Sequence, residues 1–460
     1  MAVSDGVRRG LGILSTAILA GAFALHGCAS HATTRPTTTT APSTKPSTKP
    51  TYDTISIELK TDQGPFAPRA RGVLRPKPSV QIPPALLLPL GEIAKATDGG
   101  PPPTLITLGD VVKFDGAFPG EKGNWTKWDA GVDALIRQQS QGAPVIFEIW
   151  KEPNEKPFTD RLNFFSAWVH TVRNIRRMAP TAVLTGPGIS KHDAGWTQEF
   201  LKVSKEYAVL PDIVSWHEDG LKHDISGHVG GMAENFWQDG TNVPRIAIGP
   251  NAAIENREEA GDPAIFLAQM EKSARDQAWR PVTQQFQFKL THLFSNELRP
   301  HSNYYTYRQY VALAANGGRC VKLNGSDTVE GLAVWNAPAR TLKVLVGRNR
   351  SRVEPSRVLS PVTLQIRGAA GATLHVRGTR IANSGGKPAE APEISFEKDF
   401  PLKDDRADIP LPDFASGDAY SLEIIVRGSA ATAATKPTSQ KSPTTRPTSA
   451  PSTNKSASPK

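Results

Sequence analysis

Between residues 104 and 294, short apolar runs alternate with amphipathic stretches, and this alternation restricts the fold more than any other feature of the chain. The apolar runs are 104–108, 145–150, 182–186, 212–216, 245–249 and 287–294. The stretches 128–140, 161–178, 196–207 and 263–277 between them predict helices. In 161–178 the residues Phe164, Phe165, Trp168, Val169, Val172 and Ile175 recur at a spacing of about 3.6, one face of an α-helix. Strand, helix, strand in regular order predicts a parallel sheet covered by helices. A closed barrel and an open doubly wound sheet both satisfy that order.

From about residue 318 the pattern changes to alternating runs bounded by Gly, Pro, Asn and Asp: 331–335, 341–346, 362–366, 373–376 and 420–426. These predict an antiparallel β-sandwich. The run Thr54–Leu59 alternates in the same way, and can join that sandwich although it precedes the barrel.

The chemistry concentrates in Val145-Ile-Phe-Glu-Ile-Trp-Lys-Glu-Pro-Asn154, where a strand runs into a polar turn carrying Glu152. A carboxylate at the C-terminal mouth of a parallel strand occupies the place where (β/α)8 barrels keep their chemistry. The segment resembles the acid/base motif of clan A glycoside hydrolases, above all family 39, the β-xylosidase and α-iduronidase relatives. The resemblance covers roughly residues 52–427 and implies a (β/α)8 barrel over 52–317 with a β-sandwich over 318–428. It casts Glu152 as the acid/base, with Trp150, Lys151 and Asn154 beside it at the substrate. Trp216 and His217 match the family's Ser-Trp-His motif after the sixth strand, where the His lies near the nucleophile and the sugar. Trp150, Trp216, His217 and Trp237 are the expected faces for pyranose rings.

Three departures from the family pattern stand out. Lys151 replaces the Asn that binds the sugar hydroxyl next to the reacting carbon, and an ammonium beside a general acid works against proton donation. Its side chain can also point away, since strand residues alternate faces. Gly249 and Pro250 stand where the nucleophilic Glu should close the seventh strand. Of the nearest carboxylates, Glu255, Glu258 and Glu259, Glu255 lies up to roughly 16–18 Å of contour beyond Pro250. In the third departure, the segment 105–110, read as the second strand, puts Thr107 and Gly109 at the places of the family's Arg and His.

The ends of the chain read differently. Arg8 and Arg9 followed by an apolar run to Leu25 predict a signal peptide over 1–28, and Leu25-His-Gly-Cys28 resembles a bacterial lipobox with Cys28 as the lipidated residue. This predicts lipid anchoring at the cell envelope, with plain secretion as the alternative. Cys320 is then alone, so no disulfide framework exists and it is expected in the core. Residues 29–51 and 429–460 are rich in Thr, Pro and Ser, without apolar periodicity, and predict a disordered linker and tail. Of the net charge of +10, the leader carries +1, the linker +3 and the tail +5, leaving +1 for the folded part. The basic balance therefore does not predict a nucleic-acid groove, although the tails can meet an anionic envelope polymer.

These readings leave three functions open. One is a glycosidase-like enzyme with weak or absent turnover, in which Glu218, Asp219 or Glu255 could serve an inverting mechanism. The others are a non-catalytic carbohydrate-binding relative and a structural envelope lipoprotein. The partner expected is an oligo- or polysaccharide. No cofactor is expected, and His223 and His228 lack the Cys or carboxylate pattern of a metal site.

Overall fold

The computed structural model describes residues 53–68, 72–74, 104–139, 145–155, 157–158, 160–218, 225–238, 245–250, 259–276, 284–285, 287–289, 293–295, 297–315, 317–349, 360–369 and 373–428. Cys28 with its leader, the linker, the tail, and the candidates Asp219, His223, Glu255 and Glu258 lie outside the described residues, as do the side chains of Trp237 and Pro250.

The alternating region builds a parallel sheet. Its strands are β2 (Gly72–Leu74), β3 (Thr104–Thr107), β4 (Val145–Glu148), β5 (Val183–Ile189), β6 (Ile213–Glu218), β7 (Arg245–Pro250), β8 (Gln284–Gln285) and β9 (Gln287–Lys289); β1 belongs to the second sheet. The order is β8-β7-β6-β5-β4-β3-β2-β9, with every pair parallel. Since β8 and β9 are neighbouring pieces of one run, the two ends of the order meet there. The sheet closes as a barrel of the (β/α)8 type, and the open doubly wound alternative is excluded.

Helices α1 (Thr126–Gln139), α2 (Arg161–Met178), α3 (Ala194–Glu206), α4 (Ile225–Gln238) and α5 (Gly261–Asp276) surround it, followed by α6 (Ser302–Ala314). Helix α2 buries the face anticipated from its spacing, including Phe164, Trp168, Val172 and Ile175. It starts at Asp160, whose carboxylate accepts the Leu162 N–H at 2.9 Å, satisfying a donor that the first helical turn leaves unpaired. Arg176 and Arg177 in its last turn suit the negative end of the helix dipole.

One strand assignment needs correction. β3 hydrogen-bonds directly to β4 along Thr104↔Val145 to Thr107↔Glu148. Counted along the described barrel, β2, β3 and β4 are its first, second and third strands, so 105–110 keeps its place as the second strand and 145–150 is not the fourth. The segment joining β3 to β4 holds a short helical turn at Leu108–Val111, a 3-10 turn at Glu121–Gly123 and the helix α1, with no strand between β3 and β4 among the described residues.

The second sheet contains β1 (Asp53–Pro65), β10 (Arg319–Asn324), β11 (Val329–Asn336), β12 (Thr341–Arg348), β13 (Val362–Arg367), β14 (Thr373–Ile381), β15 (Ile394–Pro401), β16 (Arg406–Leu411) and β17 (Ala419–Arg427). Its order is β15-β14-β17-β12-β11-β10-β1-β13-β16. The expected sandwich is thus one continuous nine-stranded sheet folded over a common core. Its edge strands β15 and β16 are consecutive in the chain, and the turn between them is closed by the Lys403↔Arg406 bridge. β1 lies inside it, antiparallel to β10 and parallel to β13, although it comes before the barrel in the chain.

The two sheets share packing. Leu332, Val334, Leu345, Ile381 and Ala419 of the β domain join Phe266, Met270, Tyr307 and Tyr310 of α5 and α6 in one apolar cluster. At that seam Gly261 donates its N–H to Gly417 O at 2.7 Å, and a Cβ on Gly261 would stand 2.5 Å from the Arg348 carbonyl. Cys320 is buried at the same seam and receives an N–H of Arg275 at 3.3 Å. Burial pushes its thiol up to about 11, which fits a packing residue rather than a reactive one. Among the described residues no helix is long and apolar enough to cross a membrane.

Candidate functional site

Side-by-side residues of a parallel ladder project to the same face. Leu105, Ile146, Ile213 and Ala247 pack together with Val183, which fixes the inner face of the barrel. Two residues further along each strand, the inner positions become polar: Thr107, Glu148, Thr185, Ser215 and, beyond it, His217. Thr107, Glu148 and Thr185 are direct neighbours in register. The barrel interior is therefore apolar at its base and polar toward the C-terminal mouth.

Glu148 is 4% exposed and accepts the Thr107 hydroxyl on Oε2 at 2.8 Å. Burial, the largest influence, pushes its carboxyl up to about 8. Thr107 and the Lys151 ammonium oppose that shift, while Asp110 and Glu152 add to it.

β4 ends at Glu148, and the chain turns immediately. Glu152 sits in this turn with φ 54°, a left-handed conformation uncommon for a residue with a Cβ. Its N–H bonds the Gly188 carbonyl at the end of β5 at 2.7 Å, and its own carbonyl accepts the Glu155 N–H at 2.9 Å. Its side chain is 21% exposed. Oε1 is buried without a hydrogen-bond partner. Lys151 Nζ lies 3.7 Å from that oxygen and His217 Nδ1 lies 3.9 Å from it. The orientation of Lys151 left open by the sequence is thus settled: its ammonium stands beside Glu152. The structure brings Glu152, Lys151 and His217 together at one mouth.

Asn154 does something else. Its side chain donates to Ser190 Oγ at 2.9 Å and accepts the Ser190 N–H at 2.8 Å. Ser190 Oγ in turn donates to Glu155 at 2.9 Å. The amide is engaged in clasping the β4 turn to the end of β5, so its assignment to substrate is not what the structure supports.

The tryptophans also depart from expectation. Trp216 is 1% exposed and sits on the outward face of β6 in the cluster with α4 and α5. Its Nε1–H donates to Glu218 Oε1 at 2.8 Å, and His228 Nδ1 of α4 meets the same oxygen at 2.6 Å. Trp216 therefore has no open face for a sugar, and Glu218, two residues along on the same outward side, is not aimed across the mouth at Glu152. The reason is strand alternation: in 213–218 only one parity faces inward, and His217 takes it. Trp150 packs edge-on against Phe114 at 5.6 Å and Phe158 at 5.1 Å, with Gly109 closing over its indole. It supports the loops around the mouth.

The comparisons with known proteins can now be set against this geometry. Residues 112–239 match the family described as Glycosyl hydrolases family 39. Over those residues the chain is similar to that family. N2152 from Neocallimastix frontalis shares 17% identity over 82% of this chain and 100% of that chain, with a TM-score of 0.61. A glucosidase from Croceicoccus marinus shares 11% over 82% and 99%, with a TM-score of 0.53. A monomeric beta-xylosidase from Caulobacter crescentus CB15 shares 14% over 81% and 99%, with a TM-score of 0.48. No curated protein gives a significant sequence match. At such identities the first two structures, with TM-scores above 0.5, speak to the fold alone.

In this barrel, the end of β7 is where the sequence reading placed an absent nucleophile. Gly249 is His217's neighbour in register and faces inward, two residues beyond Ala247. A Cβ there would stand 3.1 Å from the His217 ring. Any side chain at 249 would thus project toward His217 and Glu152, while Pro250 pairs with the outward Glu218. Among the described residues no group of three His, Cys, Asp or Glu side chains could hold a metal.

Sequence reasoning missed Glu148 and Gly188. The signal for Glu148 was present: two residues past the inward Ile146, it is an acid in an otherwise apolar strand, and ionisable residues are seldom fully buried without a purpose. Gly188 had no such signal, because its role depends on what its missing Cβ leaves room for.

Proposed function

We propose that this chain is a carbohydrate-active protein whose family 39-like mouth binds sugar hydroxyls around Glu152, with weak or absent turnover. The observation that carries the reading is the open acceptor: Glu152 Oε1 is buried, accepts no hydrogen bond, and is flanked at 3.7 and 3.9 Å by Lys151 and His217. A buried carboxylate oxygen without a donor is costly, and a ligand hydroxyl inserted there would supply one. The two flanking nitrogens stand beyond hydrogen-bond distance of Glu152, spaced to share such a hydroxyl with it. A family match supports a carbohydrate as the ligand.

Two features favour binding over hydrolysis. A retaining mechanism requires a second carboxylate about 5–5.5 Å away, and the inward position at the end of β7 is Gly249. The ammonium beside Glu152 suits an acceptor carboxylate better than a proton donor. Hydrolysis of an aryl-glycoside panel by wild type, Glu152→Gln and Gly249→Glu tests this. Negligible wild-type turnover is expected. Robust wild-type hydrolysis abolished in Glu152→Gln would reject the weak-turnover reading.

The sequence of the leader supports lipid anchoring through Cys28 at the cell envelope. Cys28→Ala should move the protein from the membrane fraction to the soluble fraction. Intact Cys28 with a soluble mature protein would favour secretion.

A further inference from the structure

Glu152 is a side-chain-bearing residue in a left-handed backbone conformation, at φ 54°. Such a residue keeps that conformation only where its surroundings over-determine it, and such places cluster at functional sites. The restraint on Glu152 is its N–H bond to the Gly188 carbonyl, at 2.7 Å.

Gly188 is itself left-handed, at φ 69°. The space that its Cβ would fill is already taken: Glu148 Oε1 would lie 2.5 Å from that Cβ, and the Trp150 carbonyl 3.0 Å. Glu148 is in turn pinned by the Thr107 hydroxyl on its other oxygen. The barrel interior thus connects to the mouth through one chain of contacts: Thr107 fixes Glu148, Glu148 packs against Gly188, and Gly188 holds Glu152. We propose that Glu148 is a positioning residue for Glu152, acting through the backbone of Gly188. The proposal rests on the reading of Glu152 as the carboxylate of the site.

The wedge has a second property. Burial holds Glu148 neutral at neutral pH, with its carboxyl pushed up to about 8. Thr107 from β3, Asp110 from the turn after β3, and Lys151 and Glu152 from the turn after β4 are the polar and charged groups that bear on it, with the uncharged Thr185 beside it in register on β5. While Glu148 is neutral, the Lys151 ammonium is left to Glu152. When Glu148 loses its proton to solvent, the charge that arises competes for Lys151. The position of Glu152 then depends on a group buried one strand-end beneath it.

The test uses the full chain labelled with ¹⁵N-glutamate, with the Glu152 amide identified by its loss in Glu152→Gln. In wild type that amide resonance should move through a step centred near pH 8, where Glu148 ionises. Glu148→Gln, which keeps the shape and cannot ionise, should abolish the step and leave the resonance at its neutral-pH position throughout. Glu148→Ala, which removes the wedge, should raise the hydrogen-exchange rate of the Glu152 amide by about tenfold or more. If the alanine variant fails to fold, the wild-type and glutamine titrations decide alone. A wild-type amide without a step near pH 8, or a step that survives in Glu148→Gln, would overturn the proposal. The readout needs no sugar. Failure of glycoside binding with the step intact therefore rejects the functional reading and leaves the positioning role standing, and the converse result does the reverse.

Discussion

In the β domain Ile55, Ile57, Leu342, Val344, Leu364, Ile366, Ile409 and Leu422 make a buried apolar interior, with the buried Asp53 and Arg348, 3.7 Å apart, among its polar exceptions. In the barrel the inward positions toward the mouth are Thr107, Glu148, Thr185, Ser215 and His217, and the hydroxyls of Thr185 and Ser215 are buried without partners. Both regions are built from alternating strands, yet one fills its interior with hydrocarbon and the other with polar groups that are incompletely satisfied. Buried polar atoms left unpaired cost stability. The β domain spends its alternation on a core. The barrel relinquishes stability at its mouth and gains a site of aligned acceptors.

The contrast is broken most readily by truncation at matched depth. Leu364→Ala in the β domain should destabilise by about 2–5 kcal/mol, from lost burial and the cavity left behind. Ser215→Ala and Thr185→Val in the barrel should change stability by no more than about 1 kcal/mol, and in the stabilising direction where the orphan hydroxyl is removed. Chemical denaturation measures all three. Barrel variants that cost as much as Leu364→Ala would erase the distinction.

Glu148 sharpens it through pH. Its carboxyl is raised from 4.5 to about 8 by burial, so the folded chain holds a proton that the unfolded chain has already released. The associated stability is whole below about pH 4.5, falls as pH rises, and is fully lost above about pH 8. Glu148→Gln cannot ionise and should therefore be more stable than wild type at pH 9, on the order of a few kcal/mol. At pH 4 the two should be similar. A parallel pH dependence in both proteins would show that Glu148 is not the buried acid.

Smaller effects follow from the polar contacts. Asn154→Ala unclasps the β4 turn from Ser190 and should cost about 1–2 kcal/mol, with faster amide exchange at Ser190. Arg161→Ala removes an exposed pair with Glu199 at 2.7 Å and should cost about 0–1 kcal/mol, decreasing with added salt.

The sequence revealed different parts of the two regions. The β strands at 331–335, 341–346, 362–366, 373–376 and 420–426 were legible because a half-buried strand alternates strictly. The edge strand β15 was not: Ile394, Phe396 and Phe400 alternate with polar residues, but Lys398 interrupts the apolar series and most of the strand is exposed. In the barrel, the strand–helix order and the face of α2 were legible from apolar spacing. The place of β3 beside β4 was not, because strand order depends on which crossovers occur and no residue in 104–110 records its neighbour. At the mouth, the closeness of Glu152 and His217 was legible from motif, whereas the burial of Trp216 was not, because a motif does not state strand parity. Glu148 required the inward parity of β4, and Gly188 required the positions of atoms from another strand.

The account stands most directly on whether a sugar engages Glu152. Calorimetric titration of wild type and Glu152→Gln with xylose-, glucose- and uronate-containing oligosaccharides measures it. The expected result is saturable binding of at least one of them by wild type, weakened by about tenfold or more in Glu152→Gln through loss of a charged hydrogen-bond acceptor. Binding that is equal in the two proteins, or absent for every sugar in a folded wild type, would contradict it.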